Sequence, residues 1–209
     1  MDITKEDISY RVSFSKKVRD WDGADYYTEF SGSILLYQPD ASTKDIGEFC
    51  ICKVALNSCF KDDDSQLFDL LDVTQTVTDV ANEILNDDYE IKEHIVNDND
   101  FPSDDFTIID SIKIDPEYRG MNIGLVVIRD FILNYVGHGE IVAVKPSPFY
   151  CDTEGETDEE INRRRAKLRK HWAKLGFKKY KNQKYMLLKV WRGMKNINLK
   201  TPKKKLVLA

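Results

Sequence analysis

Phe106-Thr107-Ile108-Ile109-Asp110-Ser111-Ile112-Lys113-Ile114-Asp115-Pro116-Glu117-Tyr118-Arg119-Gly120-Met121-Asn122-Ile123-Gly124 is the stretch on which the fold turns. Phe106 to Ile114 is rich in β-branched residues and reads as a strand that Asp115-Pro116 stops. A helix is expected from about Asn122 to Val136, apolar almost all round, which predicts burial in an α/β layer. Gly137-His138-Gly139 ends it, and Glu140 to Val144 reads as another short buried strand closed by Lys145-Pro146-Ser147-Pro148. Strand, helix and strand in so short a span imply a right-handed parallel crossover.

Outward from this unit, Tyr10 to Phe14 and Glu29 to Gln38 read as strands, and Gly47 to Leu56 as a third that pairs with the second in a hairpin. Asp62-Asp63-Asp64-Ser65 supplies capping and acidic residues before a helical pattern from Leu67, with Leu70, Leu71, Val77, Ala81, Ile84 and Leu85 on one face. Asn97 to Asp105 and Cys151 to Glu160 read as loops. Ile161, Leu168, Trp172 and Leu175 trace one face of a basic helix that Gly176 ends. Strands Phe177 to Tyr180 and Lys184 to Trp191 complete a mixed sheet. The reading is one domain over residues 1–192, with its cofactor-binding half at about 106–190, and a basic tail at 193–209 whose periodicity is lost.

With 209 residues, 42% of them hydrophobic, the chain is long enough to bury one substantial core. The N-terminus lacks the order of a secretory signal and no stretch reaches membrane-spanning length, so a soluble, cytosolic protein is expected. The four cysteines, Cys50, Cys52, Cys59 and Cys151, are expected as reduced thiols. Cys50-Ile51-Cys52 has no second pair or histidine at zinc spacing and reads as buried strand, so no metal is expected. His138 reads as a loop tip, and His171, on the basic helix, as exposed. A net charge of -5 conceals strong segregation. Residues 61–110 hold 16 acidic side chains against 2 Lys, and residues 160–209 hold 18 Lys and Arg against one Glu. Opposed fields of this size can steer a cation to one region and an anion to another.

A turn from buried strand directly into helix aims several unpaired N–H groups, reinforced by the helix dipole, at one point where phosphate oxygens bind. Gly120 and Gly124 clear side chains from that point, and Arg119 can add a charge-assisted bond. At these residues the sequence resembles the GNAT superfamily of N-acetyltransferases, whose acetyl-CoA signature is Gln or Arg, two residues, Gly, one residue, then Gly or Ala. Here Arg119-Gly120-Met121-Asn122-Ile123-Gly124 stands in that place, with Asn122 where the family prefers Gly. A second likeness is Trp172-Ala173-Lys174-Leu175-Gly176-Phe177, similar to the family's aromatic residue, three residues and Gly-Phe. Order and spacing agree over about Thr107 to Lys189.

The resemblance implies a mixed, mostly antiparallel sheet whose two central parallel strands splay, flanked by helices. It implies acetyl-CoA as acyl donor, with pantetheine along Ser111 to Ile114 and cofactor contacts at Ile112, Lys113, Ile114, Arg119 to Gly124 and Trp172. It also implies direct attack by an amine, which calls for a base and for an acid to protonate the departing thiolate. Asp110 is the candidate base, alongside the plainer reading of a solvent-facing strand residue. The acid is Tyr150 or a water, since Trp172 stands where the family often has Tyr, and an indole N–H is a hydrogen-bond donor only. Arg165 replaces the family's frequent Asn in the same helix. The expected acceptor is a cationic small-molecule or peptide amine drawn to the acidic stretch, while Arg163, Arg164, Arg165 and Lys167 are expected near the cofactor phosphates. Two alternatives stay open: a CoA-binding module that has lost catalysis, and nucleic-acid association through the basic helix and tail.

Overall fold

The computed structural model describes residues 7–15, 25–62, 64–95, 103–148, 153–180 and 183–190. Tyr150, Cys151 and the basic tail lie outside them. Among the described residues seven strands form one sheet: β1 (Ile8–Ser15), β2 (Tyr27–Tyr37), β3 (Thr43–Val54), β4 (Phe106–Ile114), β5 (Ile141–Val144), β6 (Lys178–Lys179) and β7 (Met186–Lys189). Their order is β1-β2-β3-β4-β5-β7-β6, antiparallel throughout except for the β4/β5 pair. The fold is thus mixed α/β with a largely antiparallel sheet and flanking helices.

Both faces of the sheet are covered, which is why β4 and β5 read as continuous apolar runs. The helices α1 (Leu56–Asp62), α2 (Leu67–Leu71) and α3 (Gln75–Ile84) cover one face, where Leu70, Val77 and Ile84 share a core with Ile108, Ile141 and Ala143. On the other, α4 (Ile123–Tyr135) and α5 (Asp158–Trp172) bring Ile128, Phe131 and Trp172 onto Phe49, Ile109 and Val142. Alternate residues of β4 and β5 therefore feed opposite cores, as the two-residue period of a strand requires. No helix among the described residues is long and apolar enough to cross a membrane.

Three local departures from expectation have identifiable causes. Residues 67–85 are two helices and not one, because the Thr74 hydroxyl accepts from the Val77 amide and restarts the chain as α3. That cap starts the longer helix, whereas α2 has no side-chain cap at Gln66, and Asp63 of the expected capping run lies outside the described residues. Leu56, expected to end β3, instead opens α1, where it is fully buried. The C-terminal half follows the sequence more closely. α5 is started by a capping box in which Thr157 and Glu160 bond each other's backbone amides, and the chain leaves it through Gly176 at φ 96°.

Candidate active site

The parallel pairing of β4 with β5 runs from Phe106/Ile141 to Ile109/Val144 and stops. β4 continues to Ile114, whereas the segment after β5 turns away through Lys145, Pro146, Ser147 and Pro148, two of which have no N–H to offer a ladder. The β5-side edge of Asp110 to Ile114 is thereby left unladdered, and a cleft of about 440 Å³ opens there. Its walls include Asp110 to Ile114, the loop from Tyr118 to Gly124, the segment after β5, and one stripe of α5.

The loop is held from both sides. The Asp115 amide donates to the Ile46 carbonyl at 2.9 Å. Pro116–Tyr118 forms a single 3-10 turn, and the buried Tyr118 places its hydroxyl 3.0 Å from the Lys44 ammonium, which also pairs with Glu117. Arg119 Nε donates to the Ile114 carbonyl at 2.8 Å, so this guanidinium is braced against the end of β4. Gly120 has φ 84° and open space around it. Asn122, where the resembled family prefers Gly, has φ 59° and ψ 17°. That is the left-handed region, which Asn and Asp tolerate better than other non-glycine residues. The Lys174 ammonium donates to Asn122 Oδ1 at 2.9 Å and fixes the side chain.

Helix α4 begins immediately after Asn122, and its first internal bond is from the Val126 amide to the Asn122 carbonyl. The amides of Gly120, Ile123 and Gly124 meet no acceptor among the described residues, and all three residues line the cleft. A Cβ on Gly124 would lie 3.1 Å from Ile112 Cδ1, so this glycine lets α4 sit close against β4. Met121 differs from its neighbours. Its side chain is buried in the core, which leaves only its backbone for any part in the site.

Charge in the cleft is lopsided. Lys113, Arg119, Lys145, Arg164 and Lys167 line it, against Asp110 as the one carboxylate among the described residues there. Arg164, Lys167, Leu168 and His171 fall at helical spacing on one stripe of α5, and Arg163 and Arg165 lie off it. Trp172 lines the same wall while its ring packs edge-on to Phe177 at 5.4 Å, buried.

Asp110 owes its direction to a bulge. Cys50 pairs with Ser111 and Ile51 with Ile109, so Asp110 is skipped in the ladder. Bulges of this kind re-aim a side chain. Asp110 is exposed and accepts from the Thr76 hydroxyl of α3 at 3.3 Å. Tyr185 lies on that same side, its phenol pushed up to about 12 by burial and then by the charges of Asp79, Glu83 and Asp110. The cleft is thus cationic toward α5, with Asp110, bonded to α3, as its carboxylate among the described residues.

His171, expected to be exposed, is half-buried against the cleft. Burial, and then the Lys174 ammonium, hold its imidazole below the ordinary histidine value and so favour the neutral form. Its folded-state value is depressed, so stability present above the unfolded histidine value is lost as the pH falls through the folded one. His171→Gln should therefore lose less melting temperature than the native chain between pH 7.5 and pH 5. Parallel pH profiles for the two proteins would contradict this placement. The helical spacing from Arg164 to His171 is the available sequence signal for this residue. No protein-family model, curated protein or solved structure matches the chain.

Proposed function

We propose that the chain is an acetyl-CoA-dependent N-acetyltransferase with a GNAT-like fold, acting on a cationic primary amine. The observation that carries the reading is the group of amides at Gly120, Ile123 and Gly124 that meet no acceptor among the described residues, opening into a cleft with five cationic side chains beside an unladdered strand edge. Such a helix start suits a pyrophosphate. Arg164 and Lys167 suit the remaining phosphate charge of CoA, and the open edge of Ser111 to Ile114 suits the amides of pantetheine, which add to a sheet edge as a peptide would.

On this reading the thioester lies where β4 and β5 part, near Ile109 and Val144. The amine approaches from the α3 side, drawn by Asp79, Glu83 and Asp110. Once neutral, its nitrogen attacks the thioester carbonyl carbon. The C–N bond forms, the C–S bond breaks, and the sulfur departs as CoA thiolate. Asp110 takes the proton released from nitrogen, directly or through water, and the thiolate is protonated by Tyr150 or a water. A second reading, a CoA-binding module without turnover, is favoured by Trp172, a buried indole in the place where the resembled family often has Tyr.

Thiol release from acetyl-CoA over a panel of amines, with calorimetric titration of CoA, tests both readings. Turnover of at least one cationic amine is expected. Asp110→Asn should lower kcat/KM by about 100-fold or more, the scale of a lost general base, with CoA affinity unchanged. Binding with no turnover on any amine would select the module, and no binding would remove both readings.

A further inference from the structure

Two of the cysteines lie on the acidic side of the sheet, away from the cationic wall of the cleft. Cys50 and Cys52 are two residues apart on β3 and so project to the same face. The neighbouring strand β2 sets Glu29 directly opposite Cys52 in register. The two sulfurs and a Glu29 carboxylate oxygen all lie within 4.8 Å of one another. Cys52 is buried, while Cys50 and Glu29 are half-buried. Tyr27, also on β2, donates its hydroxyl to Cys52 Sγ at 3.0 Å. Glu29 makes no ion pair among the described residues, although it is held against two groups that become anionic on losing a proton. A half-enclosed place that gathers two thiols and a carboxylate, with no basic side chain paired to them among the described residues, has the donor set of a cation site.

We infer that Glu29, Cys50 and Cys52 form a three-ligand site for one divalent cation of the zinc class. The donor chemistry selects the ion. Thiolate sulfur is soft and favours zinc-like metals over magnesium or calcium, and one carboxylate oxygen completes a common mixed set. With metal–sulfur bonds of about 2.3 Å and metal–oxygen bonds of about 2.1 Å, tetrahedral ligands stand roughly 3.3–3.8 Å apart. The three donors, now within 4.8 Å of one another, need to close by only about 1 Å to reach that spacing. Three protein ligands leave a fourth position for water or the Tyr27 oxygen, and the bound ion would neutralise much of the local negative charge beside Asp110. The second donor strand is why Cys-X-Cys alone does not disclose the site: Glu29 is remote in sequence and is brought into place only by pairing.

The test is a titration of the metal-free, reduced full-length chain with Co²⁺, read by absorption. The expected result is a thiolate-to-cobalt charge-transfer band that saturates at one equivalent and is displaced by Zn²⁺. Cys50→Ser and Cys52→Ser should each weaken the band and together abolish it, whereas Cys59→Ser and Cys151→Ser leave it intact. Glu29→Gln should lower Zn²⁺ affinity by at least about tenfold, the lower end of what loss of an outer-shell partner costs. Zn²⁺ protection of Cys50 and Cys52 from a thiol reagent, located by peptide mapping of the native chain, makes the same test without a variant. No charge-transfer band from the native chain, a band that survives in the double serine variant, or unprotected Cys50 and Cys52 would each overturn the assignment.

Discussion

Gly124→Glu should abolish CoA binding, with affinity falling by more than about 100-fold, while the far-UV circular dichroism of the protein stays native. The glycine is in the first turn of α4 and lines the cleft, so the new carboxylate would stand among the amides proposed to hold phosphate. An anion there repels the ligand and takes up the donors itself. Losing two hydrogen bonds to phosphate, at roughly 1.5–3 kcal/mol each as is typical when one partner is charged, accounts for the size of the effect. Gly124→Ala separates crowding from charge. The one tight contact of its methyl would be the end of the Ile112 side chain, which can shift, so it should weaken binding far less than Glu does. Equal CoA affinity for Gly124→Glu and the native chain, measured by calorimetry, would remove the proposed seat.

The largest effect on stability is expected at Phe131. This side chain is 1% exposed and is the ring through which α4 grips the sheet. Its centroid lies 5.2 Å from that of Phe30 on β2 and 6.1 Å from that of Phe49 on β3, both in edge-on geometry. It also stacks obliquely on Tyr135 at 4.9 Å. Phe131→Ala removes a buried ring and leaves a cavity among rigid neighbours, so a loss of about 3–5 kcal/mol is expected from urea unfolding. A loss below about 1 kcal/mol would mean that α4 is not packed on β2 and β3 through this ring.

The parts of the fold that are legible in the sequence are those decided by burial on both sides and by firm punctuation. β4 reads as Phe106 to Ile114, the bounds it has, because nine residues of mostly β-branched character end at Asp115-Pro116. α4 is likewise bounded within a residue or so by Asn122 and Gly137. Between Leu56 and Leu85 the pattern misleads in detail. Leu56 fits the apolar pattern of a strand as well as that of a helix, and the restart at Thr74 depends on one hydroxyl bond. The loop residues of the candidate site are legible from glycine and proline positions. Others are not: the Cys50/Ile51 irregularity that sets the direction of Asp110 carries no sequence mark, and His171 sits among so many basic neighbours that composition points it to solvent. Its burial follows from the packing of Leu168 and Trp172 beside it, a tertiary fact.

The proposed function rests on the amides between Gly120 and Gly124 holding a diphosphate. Amide ¹H–¹⁵N spectra of the full-length chain recorded during titration with CoA address this directly. The Gly120, Ile123 and Gly124 resonances are expected to shift together and saturate with the calorimetric affinity, while amides on β1, at the far edge of the sheet, stay in place. CoA binding that leaves those three resonances unmoved, or no binding at all, would contradict it.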